Sequence, residues 1–420
     1  MSQDQYVTPE PFRIDIPERV LSDLDERLRK IRWPTAVAGA DPLGWPYGCD
    51  LDTLRELVEY WRHAYDWRKA ETELNRFPQY LTDIGGQRLH FIREPATQTE
   101  GPAPLPLILT HGWPGSTLEF MGIIDQLAHP ENHGGNQIDA FDVIVPTLPG
   151  YGFSGPPMRP NGKDGVGAGP IGPRTIAKLW HRLMTERLNV SGPYAAQGGD
   201  WGAIVTSWLG YDHPWNGRDD HTGLIGIHLN MIGFRPGIDE RKTELTPEEK
   251  SWLAQTRKTR DRETAYQRIQ GTKPQTLNVA LSDSPVGLAA WVLEKFHGWS
   301  DCKGKVLDHF TLDTLITNIM IYWVTGSIGT ANWLYRGVRE ENSFGPDPGK
   351  RVETPTGFAR FPADLSPPPP RAWVERAYNL RRYTEMPSGG HFAALEEPAL
   401  LIEDIREFFR PLRFGVANDA

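Results

Sequence analysis

Cysteine is nearly absent from this 420-residue chain: only Cys49 and Cys302 are present, far apart in sequence. Two thiols supply neither a disulfide framework nor a zinc ligand set, and no other metal or cofactor motif stands out. No apolar run approaches the ~18 residues that a membrane-spanning helix needs. The opening MSQDQYVTPEPF has neither a basic stretch nor an apolar core of the secretory kind. The expectation is a cytoplasmic protein without a membrane anchor. A long Lys/Arg run is also missing, and the formal net charge is −9, which argues against nucleic acid as a partner. The one basic stretch, 257–262 (RKTRDR), contains Asp261 and lies among helix formers, so it reads as a solvated helix face.

Aromatic residues, by contrast, are plentiful, with 15 Trp and 16 Phe, as suits a globular protein with an aromatic-lined cavity. The length allows one large domain or two modest ones. The N-terminal part reads as amphipathic helices. IPERVLSDLDERLRKI (16–31) places Val20, Leu21, Leu24, Leu28 and Ile31 on one face, and LDTLRELVEYWRHAYDW (51–67) repeats the pattern with Asp50 or Asp52 as a cap. From about residue 82 short apolar runs take over. LPLILT (105–110) and FDVIVP (141–146) read as fully buried strands, and a helix over 175–188 follows them. Strand 194–197, helix 203–211 and strand 224–229 continue the alternation expected of an α/β domain with a parallel sheet.

Residues 233–345 interrupt this rhythm with helices over 246–268, 286–296 and 312–334, and the alternation resumes with strands over 356–361 and 380–385. A helical block between two halves of a sheet domain is how a lid is built over an active site. The expected division is a meander over 1–81, a first core half over 82–232, a cap over 233–345 and a second core half over 346–420. The Pro/Gly-rich stretch 155–173 reads as an excursion loop. Within it, GYGFSG (150–155) and GAGPIG (167–172) both satisfy G-x-G-x-x-G. Neither shows the strand before and uninterrupted helix start after that would hold a pyrophosphate, so no nucleotide site is expected.

The chemistry gathers around QGGDWGA (197–203), where an apolar strand leads through GGDWG into a helix. This is the setting of a nucleophile elbow, with Asp200 in place of the usual serine. Asp200 could instead only cap the helix that follows. Three further motifs favour the elbow. HGWPGS (111–116) follows a strand where an oxyanion-hole loop belongs, GGHF (389–392) supplies His391, and FPADL supplies Asp364 between elbow and histidine. A carboxylate nucleophile suits displacement at saturated carbon and leaves an alkyl ester. His391, oriented by Asp364, would activate the water that hydrolyses it, with N–H groups near Trp113 and of Trp201 holding the oxyanion. Alkyl halides and epoxides both offer such a carbon. An opening epoxide also wants a proton donor, for which Tyr266, Tyr322 and Tyr335 are candidates in the helical insertion.

The ordered set HGWPGS, GYGFS, QGGDWG and GGHFAALEEP resembles the microsomal-type epoxide hydrolases, as do NRFPQYLTDIGGQRLHFI, QGTKPQTLNVALSDSPVGLAAWVLEKFHGW and PTGFARFPADL. The resemblance runs from Phe12 to the last helix. It implies an α/β-hydrolase core with a helical cap and an N-terminal meander. It matches Asp200 to the nucleophile, His391 to the base, and Asp364 to the charge-relay acid, where some members carry glutamate. Tyr266 and Tyr335 match the tyrosines that protonate the epoxide oxygen, whereas Tyr322 has no counterpart and is expected in the core. The partners implied are a small-molecule epoxide and water, without cofactor or metal, and a homodimer is compatible. Two other readings stand beside it: a haloalkane dehalogenase, and a ligand receptor on the same scaffold that has lost catalysis.

Overall fold

The buried apolar strands assemble one nine-stranded sheet. In the computed structural model, which describes residues 8–34, 44–97, 103–161, 165–218, 221–240 and 242–413, the strands run in chain order as follows. They are β1 (Glu10–Phe12), β2 (Gln79–Ile84), β3 (Gln87–Glu94), β4 (Leu105–Thr110), β5 (Phe141–Pro146), β6 (Met158–Asn161), β7 (Gly165–Ala168), β8 (Pro193–Gly198), β9 (Gly223–Leu229), β10 (Val352–Arg360) and β11 (Tyr378–Glu385). The sheet order is β1-β2-β3-β5-β4-β8-β9-β10-β11. From β5 to β11 neighbouring strands are parallel, and β1, β2 and β3 extend the sheet antiparallel. Leu107, Ile108 and Leu109 of β4 and Val143, Ile144 and Val145 of β5 are fully buried. Such strands are covered on both faces, which is why they read as unbroken apolar runs. The chain has the α/β-hydrolase fold.

Several elements differ from the sequence expectation. The stretch 155–173 is more than a loop, because β6 and β7 pair there as an antiparallel hairpin. The strand β2 begins at Gln79 and β1 lies at residues 10–12, so the sheet reaches into the segment read as helical, and residue 82 falls inside β2. The helix expected over 246–268 is two, Pro247–Glu263 and Ala265–Thr272. The one expected over 312–334 ends at Thr325, where Gly326 adopts a left-handed conformation, and shorter helices Ile328–Ala331 and Trp333–Glu341 follow. GAGPIG does precede a helix, Pro173–Arg182, but the Glu341 carboxylate already accepts the N–H groups of Arg174 and Thr175 there. That occupied helix start leaves no place for a phosphate. The stretch 257–262 lies on helix Pro247–Glu263, where Arg257 pairs with Glu240 on the exposed surface.

The N-terminal helices pack on the helical block between β9 and β10. Helix Leu51–His63 starts with the Asp50 carboxylate accepting from the Thr53 N–H at 2.9 Å, and buries Leu54, Leu57, Val58 and Trp61. Each such side chain contributes roughly 1.5–3 kcal/mol. Across the contact Arg27 pairs with Asp283, Trp45 stacks on His297 with ring centroids 3.7 Å apart, and the Tyr65 hydroxyl meets Thr317. Among the described residues no helix is long and apolar enough to cross a membrane.

Candidate active site

Four loops leave the carboxyl ends of parallel strands on one edge of the sheet, where open α/β sheets place their ligands. They follow β4 (HGWPGS), β8 (Asp200), β10 (Asp364) and β11 (His391). The pairing Thr110↔Gly198 sets the first two loops side by side, and the bridge Ala363↔Gly390 ties the last two together.

The elbow is tight. Asp200 has φ 49° and ψ −126°, a conformation that costs a non-glycine residue energy and projects its side chain outward. A Cβ on Gly202 would overlap the Thr110 carbonyl oxygen, and one on Gly198 would overlap Gly202. Close backbone approach therefore requires both glycines. Asp200 makes no capping hydrogen bond to its helix. Its Oδ1 instead accepts from the Trp113 backbone N–H at 2.8 Å. Trp201 opens the helix Trp201–Asp212, so its N–H is one of the helix-start groups without an intrahelical acceptor.

The other carboxylate oxygen, Oδ2, stands 3.4 Å from His391 Nε2, and His391 Nδ1 meets Asp364 Oδ1 at 2.6 Å. The histidine is buried, and its backbone N–H donates to the Trp299 carbonyl at 2.8 Å. Burial by itself would lower its pKa, but Asp364 and Asp200 outweigh that and hold the imidazolium well above the usual value.

Tyr266 and Tyr335 are both buried and, with Asp200 and Asp364, line one cavity of about 870 Å³. Tyr266 stacks on Trp113 at 5.3 Å, and Tyr335 meets Trp201 edge-on at 4.7 Å. Burial above all pushes both phenols well above their ordinary pKa, with Asp200 next for Tyr266, and Tyr266 and then Asp200 for Tyr335, so they stay protonated. Tyr322 is buried but does more than fill the core. Its hydroxyl donates to the Gly115 carbonyl at 2.5 Å, and Asn318, one helical turn earlier, donates to the Pro114 carbonyl at 2.7 Å. The helix Leu312–Thr325 thus braces the HGWPGS loop from above. His111 of that loop is structural: its Nε2 accepts from the Leu148 N–H, and burial pulls its pKa down to about 4.

Sequence reasoning missed Glu119. It follows HGWPGS by one short turn and folds back beneath it, where its carboxylate fills the space that a side chain on Gly115 would take. Burial pushes this carboxyl up to about 8; His391 opposes the rise, Asp200 adds to it, and backbone hydrogen bonds from Gly112 and Ser116 hold it back. The only hint in the sequence is one acid inside the apolar run TLEFMGII.

Comparison with known proteins agrees with this architecture. Residues 9–120 match the family described as epoxide hydrolase N terminus, and residues 106–218 match the alpha/beta hydrolase fold. The chain is 36% identical to epoxide hydrolase 1 of Oryctolagus cuniculus over 426 residues, covering 95% of this chain and 88% of that one. The solved epoxide hydrolase of Aspergillus niger superposes with a TM-score of 0.79 at 31% identity, covering 97% of both chains. The juvenile hormone epoxide hydrolase of Bombyx mori superposes with a TM-score of 0.83 at 29% identity, over 98% of this chain and 96% of that one. Fold and site define an α/β-hydrolase with a carboxylate where the serine usually stands. The chain belongs to the epoxide hydrolase family and is an enzyme of that activity.

Proposed function

We propose that the enzyme opens its epoxide through a covalent ester on Asp200. The observation that carries this reading is the division of labour between the two Asp200 oxygens. Oδ1 is held by the Trp113 N–H, which leaves Oδ2 free to attack. Attack forms a bond from Oδ2 to an epoxide carbon and breaks that carbon's bond to the ring oxygen. The oxygen leaves as an alkoxide and takes a proton from Tyr266 or Tyr335. Two phenols on the wall of the Asp200 cavity favour an epoxide over an alkyl halide, since a departing halide needs no proton.

Ester formation removes the Asp200 charge, and His391 loses one of the two anions that kept it protonated. The imidazolium gives its proton up to the phenolate left by ring opening, and neutral His391 then accepts a proton from water while the hydroxide adds to Cγ of the ester. The charge that develops on Oδ1 meets the N–H groups of Trp113 and Trp201, each of the kind worth ~10²–10³ in rate. Collapse breaks the bond from Cγ to Oδ2, His391 returns its proton to the departing oxygen, the diol leaves with one oxygen drawn from the enzyme, and the proton left on the new Asp200 carboxyl restores the imidazolium. Asp364 keeps His391 oriented throughout.

One turnover by excess enzyme in ¹⁸O-labelled water tests the route. The ester mechanism gives a first diol free of label, and a fully labelled first diol overturns it.

A further inference from the structure

Asp200 stands between two cavities. The large one holds both tyrosines and opens outward, whereas a second lies behind the carboxylate, with about 10 Å³ for the centre of a water-sized molecule. That is room for one water. Asp200 and Asn230 line both cavities, while His391, Glu119 and Gln197 line only the small one. A base can deprotonate only a water within its reach, so the water that His391 uses belongs behind Asp200, on the side away from the substrate.

The small cavity is furnished for such a guest. Gln197 is 1% exposed; its Nε2 donates to Asn230 Oδ1 at 2.8 Å, but its Oε1 has no partner among the described residues. The buried His391 Nε2 is likewise without a hydrogen-bond partner there. A bound water needs two to four polar neighbours, and Glu119 supplies one that the triad does not. Burial keeps its carboxyl protonated at neutrality, so it offers both an accepting and a donating oxygen.

We propose that Glu119 holds the hydrolytic water in this cavity, placing it between His391 Nε2 and Cγ of the Asp200 ester. This inference rests on the ester route proposed above. One O–H bond of the water breaks toward His391 Nε2 as its oxygen bonds to Cγ, and Glu119 keeps the remaining hydrogen-bonding directions of that oxygen fixed. Glu119 therefore acts on the second chemical step and has no part in the first.

The test separates the two steps. Wild type, Glu119→Gln and Glu119→Ala are mixed with an epoxide under single-turnover conditions, and tryptophan fluorescence reports ester formation and decay through Trp113, Trp201 and Trp299. Ester formation should stay within about threefold, while ester decay slows roughly 10-fold in Glu119→Gln and up to ~100-fold in Glu119→Ala, as misplacement of a reactant by an ångström can do. In steady state kcat and KM then fall together and kcat/KM holds. The amplitude of ester formation counts only folded, competent molecules, so a loss of folding cannot imitate the result. Wild-type decay in both variants, or equal slowing of both steps, overturns the role of Glu119. If the wild type forms no ester from any epoxide, the ester route itself fails, and this inference fails with it.

Discussion

Asp404 and Asp200 each face a buried histidine, and their surroundings are opposite. Under the sheet, Asp404 is saturated with donors. Its Oδ2 meets His228 Nε2 at 3.0 Å, and its Oδ1 accepts from Arg382 Nε and the Thr384 hydroxyl, each at 2.6 Å. Burial opposes its ionisation, but His228 and these donors together hold it well below the usual carboxylate range. At the carboxyl edge of the same sheet, Asp200 has one backbone donor on Oδ1, and its nearest histidine nitrogen lies 3.4 Å from Oδ2. A satisfied carboxylate is stable and unreactive. A carboxylate left short of donors beside a cavity keeps a lone pair for attack. The difference lies in the number of donors more than in burial.

The comparison breaks most sharply under substitution. Asp200→Ala should remove turnover by ~10⁶, the scale on which loss of a nucleophile is felt, while thermal unfolding changes little. Asp404→Asn should do the reverse. Removing one partner of a buried ion pair costs about 3–5 kcal/mol, yet each folded molecule should turn over at the parental rate. Activity normalised to folded protein, beside denaturant melts, checks both. A nearly active Asp200→Ala, or an Asp404→Asn that folds normally but is inactive, would erase the distinction.

The tyrosines sharpen it from the substrate side. Tyr266→Phe and Tyr335→Phe should each slow ester formation, and the pair together should abolish it, on the ~10²–10⁴ scale of general acid catalysis. Rapid mixing with a neutral epoxide measures this. A double variant forming the ester at near the parental rate would show that the proton comes from elsewhere.

Much of this site was legible because its constraints are local. QGGDWG, HGWPGS and GGHF each encode a turn whose geometry demands small residues next to one functional group, and their chain order places them at strand ends. What stayed hidden depends on packing between distant segments. Glu119 shows its place only when HGWPGS has curled over it, and Tyr322 looks like filling until its hydroxyl is seen on the Gly115 carbonyl. The strand β1, three residues long, is too short for any period, and the expected boundary at residue 82 falls inside β2, the strand that β1 pairs with. Asp404 carries no signal at all, as one more acid in an amphipathic helix.

A smaller effect follows from the Asp364–His391 contact. In the resting enzyme His391 is held protonated above its usual value, Asp364 being the foremost cause that opposes burial. A raised histidine contributes stability that is fully present below the unfolded value of about 6.5 and is lost as pH rises through the folded value. Asp364→Asn should therefore lower the unfolding temperature most at and below about pH 6.5, with the gap to wild type narrowing toward alkaline pH. Each unit by which the value is raised corresponds to about 1.4 kcal/mol, so a shift of only a few degrees is expected in a chain this long. Melting curves of both proteins from neutral to alkaline pH provide the check. A gap that stays constant across that range would mean that Asp364 orients the ring without stabilising its charge.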